Sequence, residues 1–349
     1  MPTTICICGG GNLGHSIAGR AAAVLEGRGE VRLLTRRPEQ WSKTIQVEDD
    51  LGHVFASPLA TVTDDAQCAI SDADIVLLCL PGFAITEELQ RIKPFLSSRA
   101  LVGSVVCSTG FFFDAFNVLG KGWPLFGFQR VPFVARIAEY GHRSFIWGYR
   151  NEVLMATCDA NEAQTEGLRA LFATLFGTPV NLLENYMEAA LTNSNPILHT
   201  GRLYSMWRDW DGRPFDRQSF FYREWTDEAS ETIIAMDEEF FLLQDALHIR
   251  KGAIKPLLEH YESTDAASMT RKIRSISSLA KVLSPMKPIE GGFVPDFQSR
   301  YFIEDFPFGL AIIRRLAHEK GISTPVIDKV YDWGMPFTGC SQAVGRQWN

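Results

Sequence analysis

Long apolar runs are missing from this sequence. The nearest approach to a membrane span, Ile75 to Ile85, is interrupted by Pro81-Gly82 and is too short to cross a bilayer. The first residues, Thr3-Thr4-Ile5-Cys6-Ile7-Cys8, read as a strand and carry neither a basic n-region nor a cleavage site. A cytoplasmic protein without a membrane partner is therefore expected. The seven cysteines include no CxxC pair and no Cys/His cluster at zinc spacing, so neither a disulfide framework nor a metal site is expected. Cys6 and Cys8 alternate on one strand and read as small core residues. An excess of positive charge is also lacking: 34 Lys and Arg against 41 Asp and Glu leave a net charge of −7. That balance argues against a nucleic-acid partner, whose phosphates call for clustered cations. With 46% apolar and 21% charged residues, low-complexity and disordered readings fall away too.

What is present is a chain of 349 residues, more than one hydrophobic core usually serves, so two domains are expected. The apolar run Ile5 to Cys8 leads directly into Gly9-Gly10-Gly11-Asn12-Leu13-Gly14, then into a small-residue helix to about Glu26, then into a strand at Val31 to Leu34. Strand, GxGxxG, helix, strand is the context in which this glycine motif binds a dinucleotide. Gly9 permits the tight turn, Gly11 lets a pyrophosphate approach the backbone, and Gly14 lets helix and strand pack. Asn12 and Leu13 begin the helix whose free N–H groups would face the phosphates. Asp74 to Pro81 and Ala100 to Cys107 read as further buried parallel strands, the first ending in a Leu80-Pro81 loop placed to touch the cofactor. The second strand ends Leu34-Thr35-Arg36-Arg37 where an NAD enzyme usually has a carboxylate. A hydroxyl and two guanidiniums suit a 2′-phosphate, so NADP(H) is preferred. Glu39, two residues on, leaves NAD(H) open, and the bland alternative for the arginines is a solvated surface pair.

From about Leu183 the pattern turns helical: Glu184 to Trp207, Thr226 to Leu247, Ile254 to Glu262 and Asp305 to Lys320. Residues Asp209 to Arg223 read as an aromatic loop or hairpin, and Trp333 to Asn349 as a loose tail. The fold class is thus an α/β Rossmann-type doubly wound domain, 1–182, followed by a mainly α-helical second domain, 183–349. Hydride chemistry needs a proton donor or acceptor beside the reacting carbon. His199 is the strongest candidate, because the polar cluster Asn193-Ser194-Asn195 precedes it on an apolar helix, with Asn195 one turn away. Pro196 either kinks that helix or starts a new one with Asn195 as its cap. The other six histidines read as structural; His15 adjoins the glycine turn but has no evident chemical task.

Three stretches carry a resemblance. Asn195-Pro196-Ile197-Leu198-His199, Phe220-Phe221-Tyr222-Arg223-Glu224 and Arg300-Tyr301-Phe302-Ile303-Glu304-Asp305-Phe306-Pro307-Phe308-Gly309, in that order after the glycine turn, resemble the opine dehydrogenases, the octopine and nopaline dehydrogenase family. The resemblance implies condensation of an amino-acid amine with a 2-oxo acid and reduction of the imine by NAD(P)H, with the substrates held between the two domains. It implies a catalytic histidine at His199, an aspartate partner at Asp305, a carboxylate-binding arginine at Arg300 and an accompanying asparagine at Asn195. Physically, Asp305 would fix the tautomer of His199 and stabilise its imidazolium, and Arg300 offers a fork matched to a carboxylate. Their bland alternatives are a helix cap for Asp305 and a surface pair with Glu304 for Arg300. Arg136, Arg143, Arg202 and Glu224 are charged candidates for recognising the amine. The amino acid and oxo acid are not specified, and a homodimer stays open.

Two rivals remain. A β-hydroxyacid or ketopantoate-type reductase would act on C=O and would present a lysine from the helical domain, yet Glu184 to Trp207 contains none. A non-catalytic NADP-binding sensor would be expected to have lost His199, Arg300 and Asp305.

Overall fold

The computed structural model describes residues 3–108 and 110–339. The chain separates into two compact units, one ending at Ala190 and the other beginning at Leu191. The strand Val180–Leu182 and the short helix Tyr186–Ala190 therefore fall in the first unit.

An eight-stranded sheet forms the first unit, in the order Val180–Leu182, Val153–Cys158, Leu125–Phe128, Leu101–Val105, Ile75–Leu78, Thr3–Cys8, Gly29–Leu34, Thr61–Thr63. Every neighbouring pair is parallel except Leu125–Phe128 with Val153–Cys158. The strand order reverses at Thr3–Cys8, which has Gly29–Leu34 on one side and Ile75–Leu78 on the other. A doubly wound sheet binds its ligand at that reversal, outside the carboxyl ends of the strands. Ile75–Leu78 is buried at all four positions, as expected for a strand covered on both faces. Helix Glu162–Phe176 starts on an Asn161 capping box with Gln164 and ends on Gly177 at φ 64°. It brings Phe172 and Phe176 against Phe126, Phe128 and Phe133, and Gly103 is required because a side chain there would enter the Phe126 ring.

A second, four-stranded sheet was not anticipated. Its order is Val54–Pro58, Thr44–Asp49, Arg143–Tyr149, Phe133–Glu139. It packs on the outer face of the first helix, Asn12–Val24, where a Cβ at Gly19 would lie 3.2 Å from the Ile45 carbonyl oxygen.

The second unit is helical, with one two-stranded hairpin, Met286–Ile289 with Gly292–Pro295, among its described residues. Helices Asn195–Trp207 and Asp227–Ala246 pack closely because Gly201 faces Ile233 and Met236. The expected helix from Glu184 is interrupted: Ser194 is the N-cap of a new helix, with Asn195 and Pro196 its first residues. Pro196 starts the helix, as its fixed φ and missing N–H favour, and does not kink one. The stretch expected to run from Asp305 opens with a π-helical turn, Phe306–Leu310, before the helix Ala311–Glu319. The reading of Trp333 onward as a tail is corrected up to Thr338. Trp333 lies in the last turn of the helix Pro325–Gly334, and a 3-10 turn, Met335–Thr338, follows. Residues 340–349 lie outside the described residues.

Candidate active site

In the first unit, the reversal point of the sheet is occupied by the glycine turn. Gly9 stands at φ 118°, a conformation that side chains rarely adopt, and a Cβ there would sit 2.6 Å from the Cys79 carbonyl oxygen and 2.9 Å from Leu80. A Cβ at Gly14 would strike the Gly9 carbonyl, so turn and helix approach only because both residues are glycine. Gly11 differs: a Cβ there would meet nothing within 4 Å. The helix it caps receives no side-chain hydrogen bond at its start and has no acidic residue in its first turn. Open space beside an uncapped helix N-terminus fits a pyrophosphate.

Around this turn the structure sorts the remaining candidates. Leu80 and Pro81 lie at the end of the neighbouring strand, and Pro81 begins the helix Gly82–Ile92. The Asn12 carboxamide accepts a hydrogen bond from Ile137 N (2.8 Å), tying the turn to the second sheet, and Leu13 packs on the core. Both side chains are thus engaged within the fold. Thr35 is buried with its hydroxyl against Gly10, whereas Arg36 and Arg37 are exposed. Arg37 lies over the Tyr140 ring at 4.4 Å, and Arg36 only grazes Glu87 at 3.8 Å. Both guanidiniums are cheap to redirect toward a phosphate. His15 is wholly buried, bonded to the Gly11 carbonyl (3.0 Å) and to Gly141 N–H (2.8 Å); it braces the turn.

In the second unit, His199 and Asp305, 106 residues apart in sequence, meet: Nδ1 lies 2.8 Å from Oδ2. Two features bring them there. Gly309 has no side chain, so the π turn presses onto Pro196, one turn before His199; a Cβ would lie 2.8 Å from Pro196 Cβ. The π turn also leaves Asp305 free of capping duty, since its carboxylate makes no cap hydrogen bond while its carbonyl accepts from Leu310 N (2.8 Å). Such turns are frequent at functional sites. A carboxylate only accepts, so in the neutral ring Nδ1 carries the proton and Nε2 does not. Side-chain exposure is 12% for His199 and 14% for Asp305, enough shielding to strengthen their interaction.

Sequence reasoning missed the group on Nε2. The Tyr222 hydroxyl stands 2.9 Å from it, and the Tyr301 ring covers the imidazole at 4.6 Å between centroids. Burial, then nearby Tyr301, Tyr261 and Asp305, push the Tyr222 phenol above its ordinary value. Both tyrosines lie inside the stretches that carry the family resemblance, which was the available signal.

Arg202, considered above as a substrate ligand, is instead buried and structural. It donates to the Phe221 carbonyl (3.3 Å) and the Glu224 carbonyl (2.8 Å), while Arg274 Nε donates to the Trp225 carbonyl (2.7 Å). These contacts hold the loop that presents Tyr222. Arg202→Met is expected to cost about 2–4 kcal/mol, because two buried carbonyls lose their donors; urea denaturation followed by tryptophan fluorescence measures it.

Arg143 pairs with Glu48, and Glu224 with Arg217 at 2.8 Å through both oxygens. The Arg136 guanidinium donates to the Ala135 carbonyl. Arg300 is 79% exposed and pairs with Glu304 at 2.7 Å, the surface pair anticipated as its alternative. The arginine end of this pair faces solvent while Glu304 is 13% exposed, so a carboxylate ligand would compete with Glu304 for the guanidinium. Asn195 opens the helix of His199, its N–H bonded to Asn193 at 3.2 Å.

A doubly wound unit with an open glycine turn, joined in one chain to a helical unit carrying a shielded His–Asp pair, fits the class of nicotinamide-dependent oxidoreductases. Residues 182–338 match the family model for the NAD/NADP octopine/nopaline dehydrogenase α-helical domain. Residues 4–109 match that for coenzyme F420-dependent NADP oxidoreductases. The chain is 28% identical to octopine dehydrogenase of Mizuhopecten yessoensis, over 97% of this chain and 91% of that one. It is 27% identical to tauropine dehydrogenase of Arabella iricolor, over 98% and 93%. A solved structure of octopine dehydrogenase with NADH and L-arginine superposes with a TM-score of 0.85 at 25% identity, covering 96% of this chain and 89% of that one. The chain belongs to the opine dehydrogenase family, NAD(P)-dependent oxidoreductases acting on CH–NH groups.

Proposed function

We propose that this opine dehydrogenase joins an amino-acid amine to a 2-oxo acid through an imine, with NADP(H) as its preferred cofactor, in the cytoplasm. The observation that carries the chemistry is the 2.8 Å contact between His199 Nδ1 and Asp305. When bound, the nicotinamide supplies the hydride. Gly9, Gly11, Asn12, Leu13 and Gly14 would hold its pyrophosphate with backbone N–H, Leu80 and Pro81 would flank it, and Thr35, Arg36 and Arg37 would take the 2′-phosphate.

The chain's own residues then manage protons and charge. Asp305 holds the imidazole in the tautomer that leaves Nε2 available and stabilises the ring when it is protonated. Protonated His199 supplies the proton with which the carbinolamine hydroxyl leaves as water, giving the iminium; in reverse, the neutral ring accepts a proton from the secondary amine. Arg300 trades Glu304 for the carboxylate of the oxo acid, and Asn195 orients the bound substrate from the turn before His199. The octopine dehydrogenase solved with NADH and L-arginine supports an amino acid as the amine.

The test follows the near-ultraviolet absorbance of NADPH with pyruvate and divided amino-acid pools. Oxidation is expected only when both are present, with kcat/KM for NADPH at least about tenfold above that for NADH, as charged hydrogen bonds to a phosphate imply. Oxidation with an oxo acid alone would instead establish carbonyl reduction. Loss of the NADPH preference in the double replacement of Arg36 and Arg37 by alanine would fix the phosphate contact; an unchanged preference would remove it.

A further inference from the structure

We propose that Tyr222 is part of the acid–base machinery, its phenol passing the proton between Nε2 of His199 and the reacting substrate; this rests on the function proposed above. Both imidazole nitrogens are occupied. Nδ1–H donates to Asp305, so in the neutral ring Nε2 is an acceptor and the Tyr222 hydroxyl must donate to it. When the ring is protonated, Nε2–H donates instead, the phenol oxygen accepts, and the phenol proton is released to turn toward another acceptor. One oxygen at 2.9 Å thus serves both protonation states by rotating a single O–H bond.

The surroundings restrict other routes. Tyr301 covers one face of the imidazole, Phe221 approaches edge-on at 5.6 Å, and Asp305 blocks the far nitrogen. The phenol itself is held rigidly. Tyr222 is 7% exposed and its ring is parallel to that of Trp225 within 2°, at 5.9 Å. Trp225 is wholly buried and anchored through its indole N–H to Ser230 (3.0 Å), and Arg202 grips the backbone on either side of Tyr222. A phenylalanine would fill the same space. What tyrosine adds is the hydroxyl, and it is aimed at the nitrogen that the mechanism uses.

In the condensing direction the step balances as follows. The Nε2–H bond of the imidazolium breaks as a new bond forms from that proton to the phenol oxygen. The original phenol O–H breaks, its proton joins the carbinolamine hydroxyl, and the C–O electron pair departs with water. The nitrogen lone pair closes the C=N bond. Tyr222 is neutral before and after, and the positive charge has moved from imidazolium to iminium. Because burial disfavours the tyrosinate, the phenol acts as a conduit for the His199 proton and does not store charge.

Tyr222→Phe keeps the ring and its stacking and removes only the oxygen. The expected result is a kcat lower by about 10²-fold, the smaller end of general acid–base effects. The KM of each substrate should stay within about threefold and NADPH affinity should not change, as uniform binding is untouched. In mixtures of light and heavy water, the dependence of kcat on deuterium content should be curved for the wild type, with two protons in flight, and linear for Y222F. Installing 3-fluorotyrosine at position 222 weakens the phenol O–H bond with little change of shape, and should change kcat while leaving each KM in place. A Y222F enzyme within threefold of wild-type kcat, or an unchanged kcat with fluorotyrosine, overturns the relay and leaves the functional reading standing. A wild type that condenses no amine and oxo-acid pair overturns both.

Discussion

Replacing His199 with alanine is expected to lower kcat for reductive condensation by about 10³–10⁴-fold, the upper range for loss of a general acid–base group, while NADPH binds as before. Binding should survive because the glycine turn is built wholly within the first unit, on Gly9, Gly14 and the strand end at Leu80. The chemistry should not, because the carbinolamine hydroxyl is a poor leaving group without a proton donor. With the imidazole gone, Tyr222 and Asp305 lose the ring that links them, and water filling the space is a weak acid. The measurement is kcat and the KM values beside NADPH affinity by fluorescence titration. Added imidazole should restore part of the rate, since the deletion leaves a ring-sized space flanked by a hydroxyl and a carboxylate. Retention of kcat within tenfold of wild type would remove His199 from the mechanism.

What could be read before folding follows how local each feature is. The glycine turn was legible because its reasons are local: a short apolar strand, three glycines at fixed offsets and a small-residue helix. His199 stood out from its immediate neighbours, but its pairing with Asp305 spans 106 residues and depends on Gly309 letting a π turn press on Pro196. Propensity cannot foresee that contact; the family resemblance supplied it. Tyr222 was passed over because its role is fixed by a loop clamped from Arg202, and Arg202 had been read as a possible substrate ligand. The second sheet went unseen for a similar reason. Thr44–Asp49 alternates buried and more exposed residues as a strand should, but its parallel partner Arg143–Tyr149 lies almost a hundred residues on. Nothing between them announces the pairing.

Asp305→Asn tests whether the carboxylate sets the tautomer of His199 or only its position. Asparagine is close to isosteric, so the ring stays where Tyr301 and Phe221 hold it. The amide, however, can present NH₂ to Nδ1, which moves the ring proton to Nε2 and deprives the phenol of Tyr222 of its acceptor. It also removes the negative charge that stabilises the imidazolium. The expected loss in kcat is about 10²–10⁴-fold, comparable in kind to the same substitution in a Ser-His-Asp triad, where geometry survives and the tautomer does not. Condensation, which uses the imidazolium, should therefore suffer more in D305N than oxidation of the opine, which uses the neutral ring. A capping role predicts the opposite pattern: a lower melting temperature with kcat unchanged. The structure argues against that outcome, because the Asp305 side chain bonds to no backbone N–H at the start of the π turn and its oxygen points to His199.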